Sequence, residues 1–219
     1  MSTIVEPINK QSSYIHIEPK VILSNISWAT YESLVTDLGN QSSIRITYDQ
    51  GILEIMSPSS EHEKLNRTLA QFVEMLAEEL TIDIRRLGST TFKREDLAKG
   101  FEPDSCYYIQ NEDKISGKKE IDLTIDPPPD LIIEIDITST SIDKLPIYAK
   151  ISVPEVWRFS GKKLSLLSLS GGYYLEVKNS LAFPTISSEV LNDFLEKSQT
   201  MKSTTFSKSF REWIRKNSF

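Results

Sequence analysis

The sequence predicts one mixed α/β domain: a mixed central β-sheet flanked by helices, with an N-terminal hairpin and a C-terminal β-meander. Three observations carry that expectation. A single apolar stripe of Leu65, Leu69, Phe72, Val73, Leu76 and Leu80 recurs at helical spacing within Glu61–Leu80. The run Asp130–Ile137 is almost continuously apolar and short, as suits a central strand covered on both faces. Three further β-rich runs, Val156–Phe159, Leu164–Leu169 and Tyr173–Val177, are separated by turn residues and read as a meander. The chain has 219 residues, 39% of them apolar and 26% charged, which fits one domain with a proper core and excludes dominant disorder.

In chain order, residues 1–20 lack periodicity and read as a flexible or strand-like arm. Trp28, Tyr31, Leu34, Val35 and Leu38 fall near helical spacing, and Gly39-Asn40 stops that helix. The alternating runs Ile44–Tyr48 and Ile52–Met56 flank Asp49-Gln50-Gly51 and read as a β-hairpin. Ser57-Pro58-Ser59 breaks the chain before the long helix, for which Ser60 and Glu63 form a candidate capping box. Phe101–Ile109 reads as a strand opened by Pro103, and Gln110–Lys119 as a loop or hairpin tip. After the Asp130–Ile137 strand, a short helix is expected over about Lys144–Ile151, with Asp143 as N-cap and Pro146 in the first turn. Helical pieces near Ser187–Lys197 and Ser207–Lys216 close the chain, giving an arm (1–20), one domain (21–197) and a basic helical tail (198–219).

Charge and cysteine content narrow the chemistry. One cysteine, Cys106, excludes an internal disulfide framework and a zinc site built on thiolates. Two histidines, His16 and His62, leave little room for a histidine-rich metal site. No apolar run approaches the ~18–20 residues of a membrane helix, and no secretory h-region precedes residue 20, so a soluble cytoplasmic protein without a membrane partner is expected. The net charge of −6 divides unevenly: Lys197–Phe219 carries +5 and the preceding body −11. An acidic body argues against a nonspecific nucleic-acid coat protein. It fits either solubility or carboxylates gathered around a divalent cation.

Asp130–Ile137 holds the chemically odd feature. Alternation puts Asp130, Ile132, Glu134 and Asp136 on one face, and Leu131, Ile133, Ile135 and Ile137 on the other. Glu134 and Asp136 then stand roughly 7 Å apart at Cα. Burying a carboxylate costs several kcal/mol unless a cation, a hydrogen bond or a proton neutralises it. Either these acids lie where the strand frays or pair with arginine, or they bind a hard divalent cation. Asp104 opens a neighbouring strand, and Lys144 starts a helix from which it can point back at the strand end. Two acids and a lysine so placed make a site for metal-assisted phosphodiester hydrolysis.

The segments GILEIMSPSSEHE (51–63), EPD (102–104), PDLIIEIDITSTS (129–141) and DKLPIYAKISVPEVWRF (143–159), in this order, resemble the Uma-two family of restriction-type endonucleases in the PD-(D/E)XK nuclease superfamily. The last two resemble its cyanobacterial-type branch. The resemblance implies a restriction-endonuclease-like core and a Mg²⁺-dependent endonuclease, with Mn²⁺ as a substitute, acting on nucleic acid, with DNA the expected substrate. Asp104 matches the acid of the family's PD and Glu134 its (D/E). The lysine usual two residues later is Asp136 here, and Lys144 fits a lysine displaced to the following helix. Where the family often has a glutamate stands Thr47, the nearest acid being Glu54. His62 and Glu63 match the family's His-containing segment. Glu63 is equally explained by helix capping, and His62 is expected to be exposed in the first helical turn, as a phosphate contact or proton carrier or neither.

The resulting expectation is that Asp104, Glu134 and the Ile135 carbonyl hold Mg²⁺. Lys144 orients or deprotonates water or stabilises transition-state charge, and Asp136 holds Lys144 or a second ion. Cys106, Tyr148 and Trp157 read as packing residues. Lys208, Arg211, Arg215 and Lys216 read equally as phosphate contacts or as a solvated helix face. Cutting both strands of a duplex would favour a homodimer. The alternatives are a catalytically inactive domain of the same fold that binds nucleic acid or protein, and a metal-binding structural domain.

Overall fold

The chain builds a five-stranded antiparallel sheet and a six-stranded mixed sheet, and at Glu102-Pro103-Asp104 it passes from the first to the second, to which the earlier short strand Arg85–Arg86 also belongs. The computed structural model describes residues 18–39, 43–137 and 142–217; most of the expected arm, His16 included, and the end of the 129–141 motif lie outside the described residues. The strands are β1 (Lys20–Leu23), β2 (Arg45–Asp49), β3 (Ile52–Met56), β4 (Arg85–Arg86), β5 (Phe92–Arg94), β6 (Lys99–Phe101), β7 (Ser105–Tyr108), β8 (Leu131–Ile135), β9 (Glu155–Phe159), β10 (Leu164–Ser170) and β11 (Tyr173–Val177). The helices are α1 (Trp28–Leu38), α2 (Ser60–Leu80), α3 (Glu112–Ile115), α4 (Leu145–Lys150), α5 (Ser188–Thr200) and α6 (Ser203–Asn217).

The smaller sheet has the order β1-β3-β2-β6-β5, so the expected hairpin is its centre. The helix α1 lays Tyr31 on it, stacked on Tyr48 with ring centroids 4.9 Å apart. Gly100 on β6 permits that approach, because a methyl there would overlap the Tyr31 ring and hydroxyl. The larger sheet has the order β11-β10-β9-β8-β7-β4, and only β8 and β9 in it run parallel. The segment expected as one strand over Phe101–Ile109 is therefore two. Pro103 lacks the N–H a central ladder requires, and the chain changes sheets there.

Both faces of the larger sheet are covered, as the apolar run of β8 requires. Leu131, Ile133 and Ile135 pack with Leu69, Phe72 and Leu76 of α2 and with Phe194, Phe206 and Phe210 of α5 and α6. Ile132 faces the opposite way, into a cluster with Cys106, Ile147, Tyr148 and Val156. The α6 cations Arg211 and Arg215 reach Glu78 and Glu79 on α2, so on that face these two arginines are occupied by carboxylates. The N-cap of α2 is Ser59 rather than Ser60, its hydroxyl accepting from His62 N at 3.1 Å. Glu63 instead pairs with Arg45 at 3.2 Å.

The connection β8–α4–β9 is the feature that builds the site. Parallel neighbours need a crossover. Here α4 provides it and lies on the Ile132/Glu134 side of the sheet, with Ile147 and Tyr148 buried against it. Any polar group on the inner side of α4 therefore meets Glu134.

Candidate active site

Glu134, the fourth residue of β8, is 5% exposed, and α4 closes over it. Lys144 Nζ lies 2.8 Å from Glu134 Oε2, and the Tyr148 hydroxyl donates to Glu134 Oε1. Lys144 and Tyr148 are four apart, hence on one helical side, which is why both reach one carboxylate. Lys144 thus points back at the strand end. Tyr148, read from sequence as packing alone, also bonds Glu134; its spacing from Lys144 was the available signal.

Asp104 lies behind Glu134 at the crossing between sheets, 2% exposed. Its Oδ2 accepts from Ile135 N at 2.8 Å, which ties the crossing to β8. Its Oδ1 lies 2.8 Å from His62 Nε2, and His62 Nδ1 lies 2.9 Å from Glu18 Oε1. These are charge contacts in which the ring N–H bonds are not aligned on the oxygens. Contrary to expectation, His62 is fully buried, because the first turn of α2 faces the sheet crossing, and it cannot itself touch substrate. Glu18 precedes β1 in a segment with no pattern, so nothing in the sequence pointed to it. Asn66, one turn on from His62, donates to the Asp104 carbonyl at 3.0 Å and fixes the same segment.

The electrostatics of this cluster are coupled. Burial alone would lower the His62 pKa, but the Asp104 and Glu18 carboxylates outweigh it and lift it to about 10. Burial would raise Asp104, and His62 and Lys144 hold it below the usual carboxylate range instead. Glu134 goes the other way: burial and the Asp104 charge push it up to about 7 against the pull of Lys144 and Tyr148. Lys144 stays a firm cation, since Glu134 and Asp104 overcome its burial. Three carboxylates, Glu18, Asp104 and Glu134, thus face two cations, His62 and Lys144. One negative charge is left over, relieved by a proton on Glu134 or by an added cation.

A cavity of about 340 Å³ opens from this cluster along the C-terminal ends of β8 and β9. Glu134, Lys144 and Tyr148 form its floor, and Asp136, Arg158 and Ser160 its more exposed mouth. Asp136 pairs with Arg158 Nε at 2.6 Å rather than with Lys144. Glu54 stands directly opposite Thr47 in the β2/β3 ladder, 2% exposed, and its Oε2 accepts from Ile142 N at 3.0 Å. It thereby holds the segment entering α4. Glu63 is taken up by Arg45, and Cys106 is buried among apolar side chains with its thiol pKa pushed far up by burial.

The residues fit a hard divalent cation in type. Asp104 Oδ1 is buried without an aligned donor, the cluster carries excess negative charge, and the donors are carboxylates. They do not form a closed cage: no group of three His, Cys, Asp or Glu side chains among the described residues is placed to hold a metal. An ion here would complete its shell with water and substrate oxygens.

A family model described as "Uma2: Putative restriction endonuclease" matches residues 28–196 of the chain. The chain belongs to this family. The Uma2 segment contains His62, Asp104, Glu134, Lys144, Tyr148, the cavity mouth and most of α5, whereas Glu18, the end of α5 and all of α6 lie outside it. The fold is similar to the crystal structure of "a putative nuclease belonging to DUF820" from Anabaena variabilis ATCC 29413, with 15% identity, a TM-score of 0.47, and coverage of 68% of this chain and 90% of that one. No curated protein matches the chain. No helix of the described residues is long and apolar enough to cross a membrane.

Proposed function

We propose that this Uma2 protein is a divalent-metal-dependent endonuclease that hydrolyses phosphodiester bonds in nucleic acid, with DNA as the substrate to test first and Mg²⁺ or Mn²⁺ as the ion. The observation that carries this reading is one buried cluster: Lys144 Nζ lies 2.8 Å from Glu134 Oε2 on the cavity floor, and Asp104, from a separate part of the chain, is bonded to Ile135 N directly behind Glu134. None of the three is needed there for packing, and burying them together is costly.

In this mechanism Asp104 and Glu134, with the Ile135 carbonyl, would hold the ion. When bound, the ion supplies a lowered pKa for coordinated water and offsets charge on the phosphoryl oxygens. Lys144 remains protonated, so its role is to donate: its N–H groups orient the attacking water or steady negative charge growing on phosphorus. Tyr148 holds the Glu134 carboxylate at one orientation, and His62 with Glu18 does the same for Asp104. Glu54 positions the segment that carries Lys144. The protein would act in the cytoplasm, and a homodimer would serve cleavage of both strands.

One observation favours a second reading, a catalytically inactive domain that binds nucleic acid. Both Glu134 oxygens already have partners, Lys144 and Tyr148, which a metal would have to share or displace. Cleavage assays on duplex and single-stranded DNA and RNA with Mg²⁺ or Mn²⁺ separate the two. The endonuclease reading expects cleavage that Glu134→Gln and Asp104→Asn abolish while far-UV circular dichroism stays unchanged. Binding without cleavage in the wild type would leave the second reading.

A further inference from the structure

The mouth of the cavity has a construction of its own. Because β8 and β9 are parallel with Glu134 opposite Arg158, the two side chains leave the sheet on the same face. Asp136 on the next outward position of β8 and Ser160 on that of β9 extend the same face beyond the strand ends. Ligands of parallel strands characteristically sit at such carboxyl ends.

Arg158 is the residue at this mouth with donors to spare. Its side chain is 36% exposed, and among the described residues only its Nε is engaged, by Asp136 Oδ2 at 2.6 Å. The two Nη groups form no hydrogen bond with the described residues. The other cavity cation, Lys144, is committed to Glu134. As a stabilising device the Asp136–Arg158 pair is poor, since ion pairs this exposed contribute little to stability. As a binding device it is apt: Asp136 holds one edge of the guanidinium and leaves the Nη fork turned to an oxyanion, for which its planar geometry is suited.

We propose that Arg158 binds a non-bridging oxygen of a backbone phosphate at the mouth of the cavity, with Asp136 as the residue that positions its guanidinium. This inference rests on the nucleic-acid reading above and gives the site a phosphate-binding residue beside its hydrolytic floor. It also gives Asp136 a role different from the expected one: it serves the arginine, not Lys144 or a second ion.

The test is fluorescence anisotropy with a labelled DNA duplex and the matching single strand, in EDTA so that nothing is cut, across roughly 50–200 mM salt. Wild type, Arg158→Ala, Arg158→Lys and Asp136→Asn are compared after thermal melts verify folding. Arg158→Ala is expected to weaken binding about ten- to a hundredfold, the worth of a charge-assisted bond, and to reduce the salt slope by about one. Arg158→Lys restores the slope without the full affinity, because lysine brings the charge and lacks the fork. Asp136→Asn weakens binding by a smaller factor. Wild-type affinity and slope in Arg158→Ala, in a protein that binds DNA, overturns the assignment of Arg158 alone. If that variant fails to fold, unchanged affinity in Arg158→Lys overturns it in the same way. If the wild type binds neither probe, the nucleic-acid reading fails and this inference falls with it.

Discussion

Replacing His62 by glutamine removes the cation held between two buried carboxylates and leaves a side chain of similar length. His62 is fully buried, and Glu18 and Asp104 are each 2% exposed, so water cannot replace the lost charge without opening the sheet crossing. Removing one partner of a buried ion pair typically costs about 3–5 kcal/mol. The elevation of His62 from its ordinary 6.5 to about 10 leads to the same scale, roughly 5 kcal/mol at ~1.4 kcal/mol per pH unit. Because the folded protein holds the proton more tightly than the unfolded chain, this stabilisation is complete below pH 6.5 and drains away as pH rises toward 10. Urea denaturation of both proteins in EDTA, at intervals between these limits, measures it. The variant should be about 3–5 kcal/mol less stable near pH 6, with the gap closing toward pH 10 and the urea dependence unchanged. A gap below about 1 kcal/mol near pH 6 would refute the reasoning, since that is the worth of an exposed pair. So would a gap that stays constant across the range.

Three other outcomes test neighbouring steps. Tyr148→Phe keeps the edge contact with Phe101 and deletes only the bond to Glu134; about 1.5–3 kcal/mol of stability should be lost in denaturant titrations, and a loss near zero would mean the hydroxyl is not bonded there. Binding of Mg²⁺ or Mn²⁺ near pH 6 should release close to one proton, because Glu134, pushed up to about 7, must give up its proton to coordinate; calorimetry in two buffers of different ionisation enthalpy reads this, and identical heats would remove Glu134 as a ligand. Gly100→Ala should cost about 1–3 kcal/mol through overlap with Tyr31, visible as a lowered melting temperature, whereas an unchanged melt would show that the aromatic stack can shift.

Much of this architecture was legible because it rests on local periodicity. The α2 stripe, the β2–β3 hairpin, the β8 alternation and the meander each follow from burying one face of a regular element, and the sequence states which face. Asp104, Glu134 and Lys144 were legible for a related reason: charged residues stand in or beside segments otherwise too apolar to carry them. What could not be read depends on how segments meet. Glu18 lies 44 residues before His62 in sequence, in a stretch without pattern, and only the pairing of β1 with β3 brings it to the N-terminus of α2, where it also accepts from Ser59 N. The burial of His62 was missed for the same cause. First turns of helices usually face solvent, and here the sheet crossing at Pro103-Asp104 occupies that space.

The placement of the lysine on α4 rather than at position 136 follows from β9. A side chain at 136 leaves β8 on the face shared with Arg158, close enough for Asp136 to pair with it at 2.6 Å. A lysine there would set like charges side by side at the mouth and would still have to reach back toward Glu134. Lys144, arriving from the crossover helix, approaches Glu134 from above the sheet and leaves position 136 free for an acid. The acid at 136 and the arginine at 158 therefore depend on each other, and both depend on the lysine being elsewhere. Placing lysine at 136 and a neutral residue at 158 would move the mouth cation from β9 to β8 and leave Lys144 on the floor. On the phosphate-binding role of Arg158, such a protein keeps a lysine near Glu134 and still loses nucleic-acid affinity. If affinity were retained, one cation near the strand ends would suffice wherever it stood, and the coupling of 136 to 158 would be a matter of charge balance alone.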